Sequence, residues 1–223
     1  LPYPLFRTLI RSVAFLTVAA LTPPAAARAS AVSAEFNPPS GNNSYGGFGR
    51  EGSIDSRAQI FLATVGGRVD SVSLRVYRNL ESAGALVIAI TEADTGGLPT
   101  GDPLGSITVP EAEVQLNAYA LQTFSFGTAG PVLTAGRKYA IVLTPVTLNP
   151  GTAPFGLNGA NRANVDYPDG NSAYRFGAGT AWNVSDITNY VFRVTVDQTT
   201  PVERTSWGGV KARYGSTPGS PAP

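Results

Sequence analysis

The sequence predicts an all-β protein: a single antiparallel β-sandwich, jelly-roll-like, with a flexible N-terminal arm and a disordered C-terminal tail. Three observations carry this prediction. No segment keeps a helical apolar stripe over a dozen residues. About eight to ten short stretches either alternate apolar with polar residues or run as brief β-rich segments. Glycine and proline, 25 and 18 of the 223 residues, separate these stretches as turns.

The elements follow in order. Residues 1–29 read as a secretory signal peptide. Arg7 and Arg11 form a basic start, and Val13 to Leu21 form an apolar run of nine residues, too short for the roughly 20 that span a bilayer. Pro23 and Pro24 then break any helix, and Ala27-Arg28-Ala29 supplies the small-x-small exit. The expected location is therefore secreted, either extracellular or at a bacterial cell surface, with no membrane span after cleavage. Residues 30–54 are polar and rich in Gly and Asn, and are expected to form an arm or leading loop docked by Phe36, Tyr45 and Phe48.

Residues 55–197 are expected to be the sandwich. Ala58 to Val65 is apolar and ends at Gly66-Gly67. In Val69 to Tyr77, Val72, Leu74 and Val76 oppose Ser71, Ser73, Arg75 and Tyr77, the period of a half-buried strand. Ala85 to Ala93 suits a central strand, and Asp94 to Pro103 a long turn-rich loop before a strand at Leu104 to Val109. Pro110 to Leu116 is a connector with one short helical turn; strands follow at Ala120 to Phe126 and Lys138 to Thr144. Shorter strands are expected at Phe155 to Leu157, Ala173 to Phe176 and Tyr190 to Val196. The expected core takes Ile60, Leu62, Val72, Leu74, Val76, Leu86, Ile88, Ile90, Phe124, Tyr139, Ile141, Leu143, Phe192 and Val194. Residues 198–223, rich in Pro, Gly, Ser and Thr, are expected to be a disordered tail.

Several of these segments also resemble a family. The run Val69-Asp70-Ser71-Val72-Ser73-Leu74-Arg75-Val76-Tyr77-Arg78 precedes Leu86-Val87-Ile88-Ala89-Ile90 and Gly97-Leu98-Pro99-Thr100-Gly101. Leu133-Thr134-Ala135-Gly136-Arg137-Lys138-Tyr139-Ala140-Ile141-Val142-Leu143 comes next. Asp169-Gly170-Asn171-Ser172-Ala173-Tyr174, Trp182 and Tyr190-Val191-Phe192-Arg193-Val194 complete the order. This succession, over about residues 55 to 197, resembles the bacterial extracellular jelly-roll domains of the choice-of-anchor type. The resemblance implies a shape like that of carbohydrate-binding modules, no defined activity and no catalytic residues.

Composition removes whole classes of chemistry. There is no Cys and no His, so the chain has no disulfide, thiolate, Ser-His-Asp triad or typical zinc site. Without Arg7, Arg11 and Arg28 the chain carries 13 basic against 15 acidic residues. That near-neutral balance argues against nucleic acid as a partner.

Carboxylates remain the only strong acid–base groups. Glu92 with Asp94, and Glu111 with Glu113, are the candidate pairs for a glycosidase, which needs two facing carboxyls. Two loops have the oxygen-rich composition of a structural Ca²⁺ site, Asp94 to Asp102 and Asn164 to Asn171. In the second, Asp166 and Asp169 are the expected principal ligands, with Asn164 and Asn171 beside them. The EF-hand order is absent, because Gly177 stands at the twelfth position from Asp166. Otherwise no cofactor is expected. Tyr167, Tyr174, Trp182 and Tyr190 cluster late in the chain among Asn and Asp, as a sugar-stacking platform would; Tyr167 is expected to be exposed and Trp182 buried.

Three functions follow as expectations. The first is a secreted non-catalytic extracellular module, surface-structural or binding, with polysaccharide as the leading partner. The second is a self-assembling surface or filament subunit that donates its N-terminal arm to a neighbouring subunit's sheet. The third is a carboxylate-only glycosidase.

Overall fold

The computed structural model describes residues 28–38, 43–177 and 179–199. Most of the expected leader, residues 1–27, and most of the expected tail, residues 200–223, lie outside these.

The chain is all-β, and the described residues build three antiparallel sheets. The first runs β1 (Arg28–Phe36), β15 (Phe192–Thr199), β4 (Gly67–Leu74) and β8 (Gln122–Ser125), with β9 (Val132–Leu133) also pairing with β4. The second runs β13 (Asn183–Ser185), β12 (Ser172–Arg175), β3 (Ser56–Leu62), β10 (Lys138–Pro145), β6 (Leu86–Ala93) and β7 (Pro99–Val109). The third is smaller: β14 (Thr188–Tyr190), β11 (Phe155–Asn161) and β2 (Asn43–Phe48), with β5 (Val76–Arg78) also on β11. Among the described residues the only helical pieces are 3-10 turns at Glu111–Glu113 and Gly127–Ala129. No helix there is long and apolar enough to cross a membrane.

Alternation explains how the sheets close. Val72, Leu74, Phe124, Phe192 and Val194 of the first sheet share one buried cluster with Phe61, Ile88, Ile90, Tyr139, Ile141 and Leu143 of the second. Phe48, Phe155 and Leu157 extend it into the third sheet. Burying each such side chain contributes about 1.5–3 kcal/mol. With no disulfide, this burial is the main term opposing chain entropy.

Four segments depart from the expected reading. Residues 30–54, expected as an arm or leading loop, carry β1 and β2. β1 pairs with β15 from Arg28↔Thr199 to Phe36↔Phe192, and Glu35 meets Arg193 at 2.6 Å. Its pattern is hidden by small residues and by a bulge between Val32 and Ala34 that resets which side chains face inward. The expected loop Asp94 to Pro103 is only a tight turn, because β7 starts at Pro99. Pro99 and Pro103 are tolerated there because β7 is an edge strand and leaves one side of its backbone unpaired. The short strands β13 and β14 lack a pattern long enough to read. In β3 the phase is inverted: Phe61 faces the main core, while Ile60 joins a second cluster and Leu62 is only partly buried.

That inversion has a polar cause. Gln59 lies on the same side of β3 as Phe61, one strand period away, and is fully buried. Its Oε1 accepts the Tyr190 N–H at 2.7 Å, and its Nε2 donates to the carbonyls of Ile60 at 3.0 Å and Asn171 at 3.2 Å. One side chain thus ties β3 to β14 and to the segment entering β12. Ile60 is displaced to the other face, where it packs with Ala58, Ala89, Ala140, Val142 and Ala173.

The near-isosteric substitution Gln59→Leu strands the buried Tyr190 N–H without an acceptor, which costs about 2–3 kcal/mol. For a domain of this size that lowers the thermal midpoint by roughly 4–12 °C. Differential scanning calorimetry reads this directly, and an unchanged midpoint contradicts the assignment.

Candidate functional site

The two oxygen-rich loops, far apart in sequence, meet in space. Asp94 folds the first: its Oδ1 accepts the Leu98 N–H at 2.9 Å and its carbonyl accepts the Gly97 N–H at 3.0 Å. Gly97 takes φ +75, the left-handed region that favours glycine, and a Cβ there would stand 3.2 Å from Asn171 Oδ1. The second loop is held from beneath, where the Ile60 N–H donates to the Asn171 carbonyl at 2.8 Å. Between the loops lies an open cleft of about 400 Å³, lined by Thr95, Gly97, Lys138, Arg162, Asn171 and Val184 among others. Trp182, two residues before Val184, packs with Leu98 on the small-residue cluster of the second sheet's outer face. Arg175 stacks on the Trp182 ring at 5.0 Å and approaches the buried Asp55 carboxylate at 3.7 Å.

The expected calcium ligands have other partners. Asp166 Oδ1 accepts from Arg162 Nε at 3.0 Å, from Asn189 Nδ2 at 2.8 Å and from its neighbour's Tyr167 N–H at 2.9 Å. A guanidinium therefore supplies the positive charge that an ion was expected to bring. Asn164 is exposed and its N–H closes a turn on the Asn161 carbonyl at 3.0 Å. Asn171 gives its carbonyl to β3 and turns its side chain toward Gly97. Asp169 sits near the Tyr167 phenol and helps raise its pKa. Among the described residues, no group of three or more Asp and Glu gathers as a metal site. The donor set at Asp166 does not fit calcium.

The four late aromatics divide. Tyr167, expected to be exposed, is 7% exposed and packs on Phe36 and Phe192 in the core. Burial pushes its phenol up to about 12. Tyr190 is buried too: Arg57 NH1 donates to its hydroxyl, and burial raises its pKa. Trp182, expected to be buried, is only partly so, and Tyr174 is partly exposed with an edge contact to Phe176 at 5.4 Å. Proximity in sequence misleads here because residues 167 and 190 flank the strand pair β12–β13 and turn inward at its ends. None of the four is among the residues that line the cleft.

The candidate acid pairs are separated by their partners. Glu92 pairs with Arg137 at 3.5 Å, while Asp94 caps its own turn. Glu111 pairs with Arg78 at 3.5 Å and accepts the Gly84 N–H at 2.9 Å; Glu113 lines a different groove, between β7 and β8. Lys138 and Arg162 in the cleft were not expected as binding residues; Lys138 entered only as part of a strand and of the run that carries the family resemblance. Nor did the sequence join Tyr45, Tyr77 and Tyr119, which meet near the surface from three distant segments.

No family model and no curated protein matches this chain. Among solved structures, it is similar to one of the cysteine protease and lectin-like domains of Cwp84, a surface layer associated protein of Clostridium difficile. The TM-score is 0.40 at 14% identity, over 71% of this chain and 36% of that one. The match thus spans about a third of that chain's length.

The Arg162–Asp166 contact sets a pH dependence. The Arg162 hydrogen bond, foremost, holds the Asp166 carboxyl below its ordinary range. Its contribution to stability is therefore present above about pH 4 and lost as the pH falls through the lower folded value. Asp166→Asn should flatten this part of the acid limb, and melts with EDTA and with millimolar Ca²⁺ should share one midpoint. A calcium-dependent rise in the midpoint contradicts the ion-pair account.

Proposed function

We propose that this protein is a secreted, non-catalytic binding module whose ligand is a carbohydrate, bound in the cleft between residues 94–98 and 162–171. The observation that carries the reading is the composition of that cleft. Its lining offers the amide of Asn171, the hydroxyl of Thr95 and the ammonium of Lys138, with no carboxylate. These groups suit hydroxyl recognition. A hydrolytic site would need two opposed carboxyls, and Glu92, Asp94 and Glu111 are engaged with an arginine or with backbone N–H groups. The resemblance of residues 55–197 to choice-of-anchor-type domains, and the leader expected at residues 1–29, favour an extracellular place of action.

The self-assembly alternative receives less support. The arm expected to act as donor is already paired within its own chain, β1 with β15 and β2 with β11. Pro99 and Pro103 blunt the long outer edge of β7 against strand addition.

Asn171 and Lys138 are suited to a test because their side chains carry no structural hydrogen bond in the described residues. On a glycan array, Asn171→Ala and Lys138→Ala should each lower binding about tenfold or more without moving the thermal midpoint. Undiminished binding in both variants, or turnover of a glycoside that Glu92→Gln abolishes, contradicts the proposal.

A further inference from the structure

Tyr45 on β2, Tyr77 on β5 and Tyr119 on the loop before β8 form a second aromatic group at the surface. The Tyr119 ring lies 5.4 Å from Tyr45 at 59° and 4.8 Å from Tyr77 at 74°, centroid to centroid. Tyr45 is 54% and Tyr119 50% exposed, while Tyr77 is buried beneath them. Gly156 makes this possible, because a Cβ at that position would collide with the Tyr77 phenol ring. The group is separate from the cleft. Lys138 pairs with Leu62 at one end of β3, whereas Arg57 near the other end donates to the carbonyl of Gly47, two residues from Tyr45.

Tyr119 is held in place by the chain around it. The Arg78 N–H donates to Gln115 O and the Asn117 N–H to Arg78 O, both at 2.9 Å. The Gln122 side chain accepts the Gln115 N–H at 3.1 Å and donates to the Val76 carbonyl. Asn117 adopts φ 50, the only positive φ at a non-glycine among the described residues. These bonds and the left-handed turn at Asn117, a residue that tolerates it, thus fix the loop that presents the half-exposed Tyr119 ring. Such fixing removes the entropy cost of ordering the ring when a ligand arrives.

Both cation–π contacts of the described residues lie elsewhere, Arg57 on Tyr190 and Arg175 on Trp182, so no guanidinium covers these ring faces. Burial and the neighbouring phenols raise the Tyr77 pKa, which keeps its hydroxyl a donor. Asn158 pairs with Tyr45 in the β2–β11 register; it is 1% exposed, and its Oδ1 has no hydrogen-bond partner. Buried acceptors are rarely left unmet.

We propose that Tyr45, Tyr77 and Tyr119 form a second ligand site, for a neutral saccharide that packs its C–H faces on the exposed rings and bonds the phenol hydroxyls. The site extends the binding reading above but shares no residue with the cleft. Affinity electrophoresis through gels holding hydroxyethylcellulose, amylopectin or mannan tests it on the full chain, with analytical ultracentrifugation beside it. The expected result is retardation in at least one gel, weakened about tenfold in Tyr119→Ala and in Tyr45→Ala. Tyr119→Phe should keep most of it, and Asn171→Ala should leave this component intact. Retardation lost in Asn171→Ala and unmoved by the tyrosine variants overturns this site while sparing the cleft. No retardation in any gel overturns it, as does a dimer that Tyr119→Ala dissolves without any glycan effect.

Discussion

The buried amide of Gln59 is the constraint on which the rest of the structure depends. A carboxamide with no exposure must satisfy its acceptor and its donors inside the protein or cost the fold their desolvation. Here the partners are Tyr190 N–H, Ile60 O and Asn171 O. Meeting them fixes two separate pieces of chain, β14 and the segment entering β12, against β3. It also sets the phase of that strand, sending Phe61 into the main core and Ile60 to the outer face.

From that phase the cleft follows. With Ile60 outward, the outer face of the second sheet carries mostly small apolar side chains, and Trp182 and Leu98 settle on it. Leu98 brings the turn at residues 94–98 over the end of the sheet. Asn171, tied to β3 through its carbonyl, brings the second loop to meet it. Arg162 and Asp166 then brace the second loop through charge-assisted hydrogen bonding, with Asn189 as a third member. The rigid strands hold the two loops, and the loops hold the polar groups. This division of labour between scaffold and loop suits recognition.

Much of this was legible in the sequence, for stated reasons. Where a strand alternates cleanly, as in Val72-Ser73-Leu74 or Tyr139-Ala140-Ile141, the inward face is read correctly, because period two has only one apolar phase. Where apolar residues are adjacent, as in Ile60-Phe61, periodicity cannot choose a phase, and the deciding residue was the polar Gln59. β1 escaped notice because a bulge and a run of Ala and Ser erase the pattern. The two oxygen-rich loops were recognised as special by composition. Their meeting, however, depends on strand order, with β12 next to β3 and β6 reached through β10. Composition likewise could not show that Arg162 would take the place expected for calcium. The tyrosine trio was invisible for the same reason, since residues 45 and 77 are joined by the pairing of β2 and β5 with β11, and residue 119 by the backbone bonds of its loop to Arg78.

Native-state hydrogen exchange at the Tyr190 amide tests the role of Gln59 most directly. If that amide is bonded to the buried Gln59 side chain, it exchanges only with global unfolding, as slowly as the amides of β10. In Gln59→Leu its protection should fall while that of β10 falls only with overall stability. Exchange of the wild-type Tyr190 amide at the rate of an exposed loop would show that Gln59 does not hold the sheets together.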